Sequence, residues 1–290
     1  MASFAFLGGL SAKASGNPAC KDLYTLKKTK KALGDVFYHG NRSKLLDFSR
    51  IDNSDLFEIY LTPTDYSSIE DCDKSLSDGD IRLNPDVFRG NIPANGVLGD
   101  DFRRIEVYFY PDMVKIDSLT YAVRGRTKVK TNVCDFTGHI RIKKIFRGIE
   151  HDMDSTYSYS IIAEYLLKED ASQKGSGELR GILQADACTL KDTPDVVRID
   201  ESWADADGYF NRTFVGTWRS YNDPALVKRC MWGDYRLPFC FDFDIGDGEM
   251  MVNPDYASPE WDRWMYRKDI ELILSEDGVH YNAKYRNPWW

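Results

Sequence analysis

Residues 156–167, TYSYSIIAEYLL, and residues 178–187, ELRGILQADA, decide how this chain folds. Tyr157, Tyr159, Ile161, Ala163, Tyr165 and Leu167 fall on one face of the first run; Leu179, Leu183 and Ala185 share a face of the second. Alternation of period two is the pattern of a half-buried strand, because successive side chains point to opposite sides of a pleated backbone. Between the runs lies EDASQKGSG (169–177), rich in the small and polar residues that turns require, so the pair reads as a long hairpin.

Working outward, RRIEVYFY (103–110) places Ile105, Val107 and Phe109 on one face, and IELILSEDGVHYNAKY (270–285) reads as a second hairpin with Asp277-Gly278 at its turn. Parallel βαβ units would need helical stretches of about 10–15 residues between strands, and none stands out between 100 and 250. SPEWDRWMYRK (258–268) reads as a short helix, with Ser258 as its cap and Pro259 in its first turn. KDLYTLKKTKKAL (21–33) is another candidate helix, and DLFEIYLTP (55–63) a strand ended by Pro63. The expected fold is therefore mainly antiparallel β, a barrel or a sandwich, with one or two short helices and a less regular N-terminal region. The Asp-, Ser-, Gly-, Asn- and Pro-rich stretch 65–101 reads as loop. It divides the chain into a terminal segment 1–20, an α+β region 21–100 and a β domain 101–290.

Composition narrows the function. The chain has 290 residues, 42% hydrophobic and 29% charged, which is globular rather than disordered. A net charge of −8 argues against a nucleic-acid surface, which neutralises phosphates with massed Lys and Arg. No apolar run reaches the ~20 residues of a membrane span. The start, MASFAFLGGLSAKA, carries a short apolar stretch and a small-x-small triplet but no basic residue before Lys13, so export and a cytoplasmic setting both stay open. Six cysteines occur without a C-x-x-C pair; Cys230 and Cys240 are near enough in sequence to bridge in an oxidising compartment, and buried thiols are the other reading.

Phe214-Val215-Gly216-Thr217-Trp218 resembles the opening strand of the lipocalins and fatty-acid-binding proteins, whose Trp plugs one end of a ligand-holding barrel. The resemblance covers five residues. Only 72 residues follow Trp218, too few for eight to ten further strands, so it implies a strand late in a barrel and a buried Trp anchor rather than the family's ligand chemistry. Gly138, Gly177 and Gly216 stand 39 residues apart, each followed two and three places later by an apolar residue and Arg, and read as strand starts where glycine permits a bend.

The chemistry-bearing candidates are few. If 239–245 is a strand, Phe239, Phe241, Phe243 and Ile245 face the core while Cys240, Asp242 and Asp244 face outward, with the carboxylates ~7 Å apart. Such a pair could divide acid and base work in glycoside hydrolysis or, with Asp247 and Glu249 just beyond, hold a cation, although the register fails the EF-hand pattern. All seven Trp lie in the last third, and a flat indole beside carboxylates can cover the apolar face of a sugar; Trp232, Trp261, Trp264 and Trp290 are the candidates for such a surface. Cys134 and His139 are close in sequence, but an odd separation on a strand sends them to opposite faces. With no nucleophile elbow and no phosphate loop, the expectation is a non-enzymatic binding or interaction module without a cofactor, its partner a glycan or a protein. The alternative is a hydrolase using Asp242 and Asp244.

Overall fold

A computed structural model describes residues 66–68, 72–148, 158–189, 195–198, 212–234, 237, 240, 243–246, 250–265, 270–274, 281–285 and 288–290. In chain order the elements are β1 (Tyr66–Ser68), α1 (Cys72–Ser77), β2 (Arg82–Leu83), β3 (Ala94–Leu98), β4 (Arg103–Phe109), β5 (Val114–Lys115), β6 (Thr120–Val129) and β7 (Asn132–Gly148). They continue with β8 (Ser158–Glu169), β9 (Gly177–Thr189), β10 (Asp195–Arg198), β11 (Arg212–Ser220), β12 (Val227–Gly233), α2 (Pro259–Met265), β13 (Ile270–Leu274) and β14 (Tyr281–Tyr285).

Eight strands, β3, β4, β6, β7, β8, β9, β11 and β12, pair antiparallel with the next in sequence, and β12 returns to β3. This closes an up-and-down barrel and leaves no free edge in the wall. The seam joins Gly233 to Asn95, so the chain enters and leaves the barrel side by side. The hairpin turns β3–β4, β6–β7, β8–β9 and β11–β12 lie together at the opposite rim. Of the two architectures left open by the alternation, the structure is the barrel.

Alternation builds the interior as read. Ile105, Val107 and Phe109 point inward from β4, Tyr159 to Leu167 at every second position from β8, and Leu179, Leu183 and Ala185 from β9, all buried in one cluster. On β7 a bulge shifts the register between Ile142 and Lys144, so Ile142 and Ile145 both face inward across an odd spacing. An eight-stranded barrel is just wide enough for side chains to fill, and here rings fill it. Phe214 stacks on Trp232 at 4.7 Å, Tyr165 meets both at 5.3 and 5.1 Å, and Phe109 bridges Phe214 and Phe136.

The packing also dictates glycine. Gly181 and Gly216 pair across β9 and β11 beneath the Tyr165 ring, where a Cβ at Gly216 would stand 2.0 Å from the Arg180 carbonyl oxygen and 2.7 Å from the Tyr165 hydroxyl. The 39-residue glycine spacing has no common role, because Gly138 and Gly216 are mid-strand and only Gly177 opens one. Strand β11, which carries FVGTW, is seventh of the eight, and the interior behind it is occupied by side chains.

A second layer covers part of the outside. Val97, Phe146, Ile162, Ile182, Val215 and Met231 point away from the interior and bury against Leu237, Cys240, Phe243, Met250, Val252 and Trp261. Helix α2 is the expected short helix, with the Ser258 hydroxyl accepting from the Trp261 amide at 3.4 Å. The Trp261 indole donates to the Phe102 carbonyl at 2.7 Å, and the Phe102 ring stacks on Phe243 at 4.6 Å. Phe102 has φ of 48°, a left-handed conformation costly for a bulky residue, and these contacts hold it there.

Two expectations change. The loop-like stretch 65–101 contains α1, β2, a 3-10 turn at Pro85–Phe88 and β3; its Asn and Pro punctuate short elements rather than merely connect, with Asn84 Oδ1 capping the Asp86 amide at 2.9 Å. Strands β3 and β4 pair across the turn at 99–102, and Leu76, Ile81, Val87 and Phe88 share the barrel's core cluster. Second, the described residues of 239–245 depart from the expected alternation: the Phe243 amide donates to the Cys240 carbonyl, both side chains are buried in one cluster, and Ile245 is 51% exposed. The segments 1–20, 21–33 and 55–63, and the Asp277-Gly278 turn, lie outside the described residues; β13 and β14 pair as the expected terminal hairpin.

Candidate aromatic binding surface

The sequence-derived candidates separate sharply once placed. Trp232 points into the filled barrel and is fully buried. Trp261 is buried under the second layer, and Trp264 packs against it at 5.9 Å. Asp242, Asp247 and Glu249 lie outside the described residues. Asp244 is buried, and one of its oxygens, Oδ1, accepts from the Gly246 amide at 3.1 Å and the Met251 amide at 3.0 Å. That is the arrangement of a carboxylate holding a turn. Among the described residues no group of three or more His, Cys, Asp or Glu side chains is placed to hold a metal ion, and no helix is long and apolar enough to cross a membrane.

The thiols resolve as well. Cys230 faces the barrel interior and Cys240 the outer layer, so the β12 wall stands between them and the two do not bridge. Cys134 points inward while His139 is exposed, as their odd spacing requires. Burial, aided by the nearby Glu169 charge, pushes the Cys134 thiol up to about 11, which leaves it an inert thiol.

At the turn-bearing rim, Glu169 is buried and satisfied by three donors: the Thr127 hydroxyl, the Gly177 amide at 2.7 Å and the Trp218 indole at 3.0 Å. Desolvation raises its pKa against those hydrogen bonds. Trp218 thus anchors one end of the barrel, as its resemblance implied, through an ionisable partner that the sequence pattern did not indicate.

Among the described candidates Trp264 and Trp290 are partly exposed, and Trp290 gathers further exposed rings around it. It lies against Tyr108 at 5.8 Å, Tyr285 at 4.7 Å and Trp289 at 5.9 Å, and Tyr108 in turn contacts Tyr110 at 5.7 Å. All five rings are partly exposed. Cations frame them: the Arg124 guanidinium lies 5.0 Å from the Tyr110 ring centre and the Lys128 ammonium 5.1 Å from that of Trp289. Arg126 donates to the Trp289 carbonyl at 3.3 Å and to Asp135 at 2.7 Å, and Asp112 pairs with Arg124 through Nε at 2.7 Å. Hydrogen bonds from these guanidinium groups hold the Asp112 and Asp135 carboxyls below their usual range, so both present acceptors at neutral pH. Tyr108 and Tyr110 were legible as the outward positions of β4; their meeting with the C-terminal tryptophans was not.

The described chain is thus a closed antiparallel barrel with a ring-filled interior and an aromatic, charge-rimmed surface on its outer wall. Among known proteins, no family model, curated protein or solved structure matches the chain.

Proposed function

We propose that the protein is a non-catalytic binding module that takes a glycan on the surface formed by Tyr108, Tyr110, Tyr285, Trp289 and Trp290. The observation that carries this reading is the coexistence of partly exposed rings with ionised donors and acceptors at their edge. A pyranose presents an apolar C–H face that stacks on flat rings and a rim of hydroxyls that pair with guanidinium and carboxylate groups. The filled barrel supports an outer-surface mode, since Phe214, Trp232 and Tyr165 occupy the space that an internal ligand would need.

A panel of neutral and acidic oligosaccharides titrated into the full chain, followed by tryptophan fluorescence and calorimetry, tests it. Trp290→Ala and Tyr108→Ala are expected to weaken the best ligand by at least about tenfold, the size of a binding hot spot, with the far-ultraviolet spectrum of the barrel unchanged. Failure of every glycan, or unaltered binding by both variants, overturns the proposal.

A further inference from the structure

Next to the aromatic surface, the outer wall carries a groove of about 490 Å³ between the turn after β5 and strands β7 and β8. Alternation sends Thr137, His139 and Arg141 outward from β7 and Leu166 and Lys168 outward from β8, with Thr137 opposite Lys168 and His139 opposite Leu166. Ile116 forms the other lip and is 62% exposed. The volume falls within the range of small-molecule sites, roughly 300–1,000 Å³.

Charge in the groove runs against that of the chain. Among the described residues, the His139 ring and the Lys168 ammonium have no hydrogen-bond or ion-pair partner. Arg141 reaches only the Thr120 hydroxyl, at 3.4 Å. Two carboxylates are near, and Asp117, itself on the lip of the groove, feels the Arg141 charge. Asp117 accepts from the Leu119 amide at 2.9 Å, and Glu164, opposite Arg141 on the ladder, pairs with Lys143 at 3.2 Å. In a protein of net charge −8, the Arg141 guanidinium and the Lys168 ammonium over an apolar floor are left with donors to spare, with the His139 ring between them.

We propose that this groove binds an organic oxyanion, its head group held by Arg141 and its body lying over Leu166 and Ile116 toward Lys168. A guanidinium fork matches the two oxygens of a carboxylate or phosphate, and the Lys168 ammonium, opposite Thr137 and so ~13 Å along the strand from Arg141, adds a second positive charge that draws an anion in. Covering the apolar floor contributes about 25 cal/mol per Å² removed from water. The inference rests on the groove alone and does not require the glycan reading. The two surfaces do share a border, because Arg124, over the Tyr110 ring, stands opposite Thr137 on the β6–β7 ladder. An acidic oligosaccharide could therefore supply the same oxyanion as a free acid.

The test uses the full chain, an aryl carboxylate, a uronate oligosaccharide and its neutral counterpart, with Arg141→Ala/Lys168→Ala compared against wild type. Both exchanges are on exposed side chains, and circular dichroism verifies the fold. At least one anion is expected to bind wild type, to lose affinity as salt rises, and to weaken at least about tenfold in the double variant. Binding of both anions makes the head group sufficient; binding of the uronate alone makes it part of a sugar. No binding of either anion, or equal binding by the variant, overturns the groove. A neutral sugar that binds as well as the uronate, and depends on Trp290 but not on Arg141 and Lys168, overturns the groove while leaving the aromatic surface standing.

Discussion

Two outer faces of the same barrel wall obey different rules. Where the C-terminal layer lies over β3, β9, β11, β12 and one end of β7 and β8, the outward positions are Val97, Phe146, Ile162, Ile182, Val215 and Met231, all buried. On β6, β7 and β8 the corresponding outward positions include Arg124, Thr137, His139, Arg141 and Lys168, all exposed. The inward positions are alike on both sides. What covers a strand, rather than the strand itself, therefore sets whether its outer residues are apolar or charged, and the exposed side is where both proposed binding surfaces lie.

An acidic side chain placed on each face should break this comparison if it is wrong. Val215→Asp buries an unpaired carboxylate between two packed layers and is expected to cost about 3–5 kcal/mol, read from urea denaturation. Thr137→Asp, on the exposed side, should cost about 1 kcal/mol or less, mostly lost strand propensity. Equal losses would mean that the two faces are not differently covered.

Asp186, outward on β9 opposite Ser160, sharpens the comparison through pH. Burial pushes its carboxyl up to about 6 from 3.8, against hydrogen bonds from Ser160 and Gln184 that pull it down. The native chain thus holds this proton more tightly than the unfolded one. The stability it lends is complete below 3.8 and is lost as pH rises through about 6. The loss is on the order of 3 kcal/mol, and Glu169, raised for the same reason, adds to it with the same sign. Denaturation midpoints should fall over that window in wild type and fall less in Asp186→Asn. A rise would contradict the assigned burial. The smallest effect is expected at Arg124, whose pair with Asp112 is exposed on both sides. Arg124→Ala should leave the thermal midpoint nearly unchanged, and a clear fall would show the exposed face to be structurally committed.

The same contrast explains what could be read in advance. Strands β4, β8 and the start of β9 alternate because one face meets the core and the other meets water, so their inward residues were legible. RTFVGTWRS and VKRCMWG are buried on both faces over most of their length, which erases the period and hides their place beside β3 and β9. The short elements of 72–98 escaped notice because capping and connecting use the same residues. Trp290 was legible as a surface candidate from its type and neighbours. Its partner Tyr108, and Lys128 over the neighbouring Trp289, come from β4 and β6, more than 160 residues earlier, and no local spacing reports such a meeting. For the groove, the facing of His139 followed from its odd distance to Cys134, whereas Lys168 joins it only through the β7–β8 register.

The seam at Asn95 and Gly233 has a mechanical consequence. Tension applied to the chain at these two positions would pull neighbouring antiparallel strands apart from the rim where both end, loading their hydrogen bonds one after another instead of together. The barrel, held from within by packed rings, would open under force like a zipper, starting from its first and last strands.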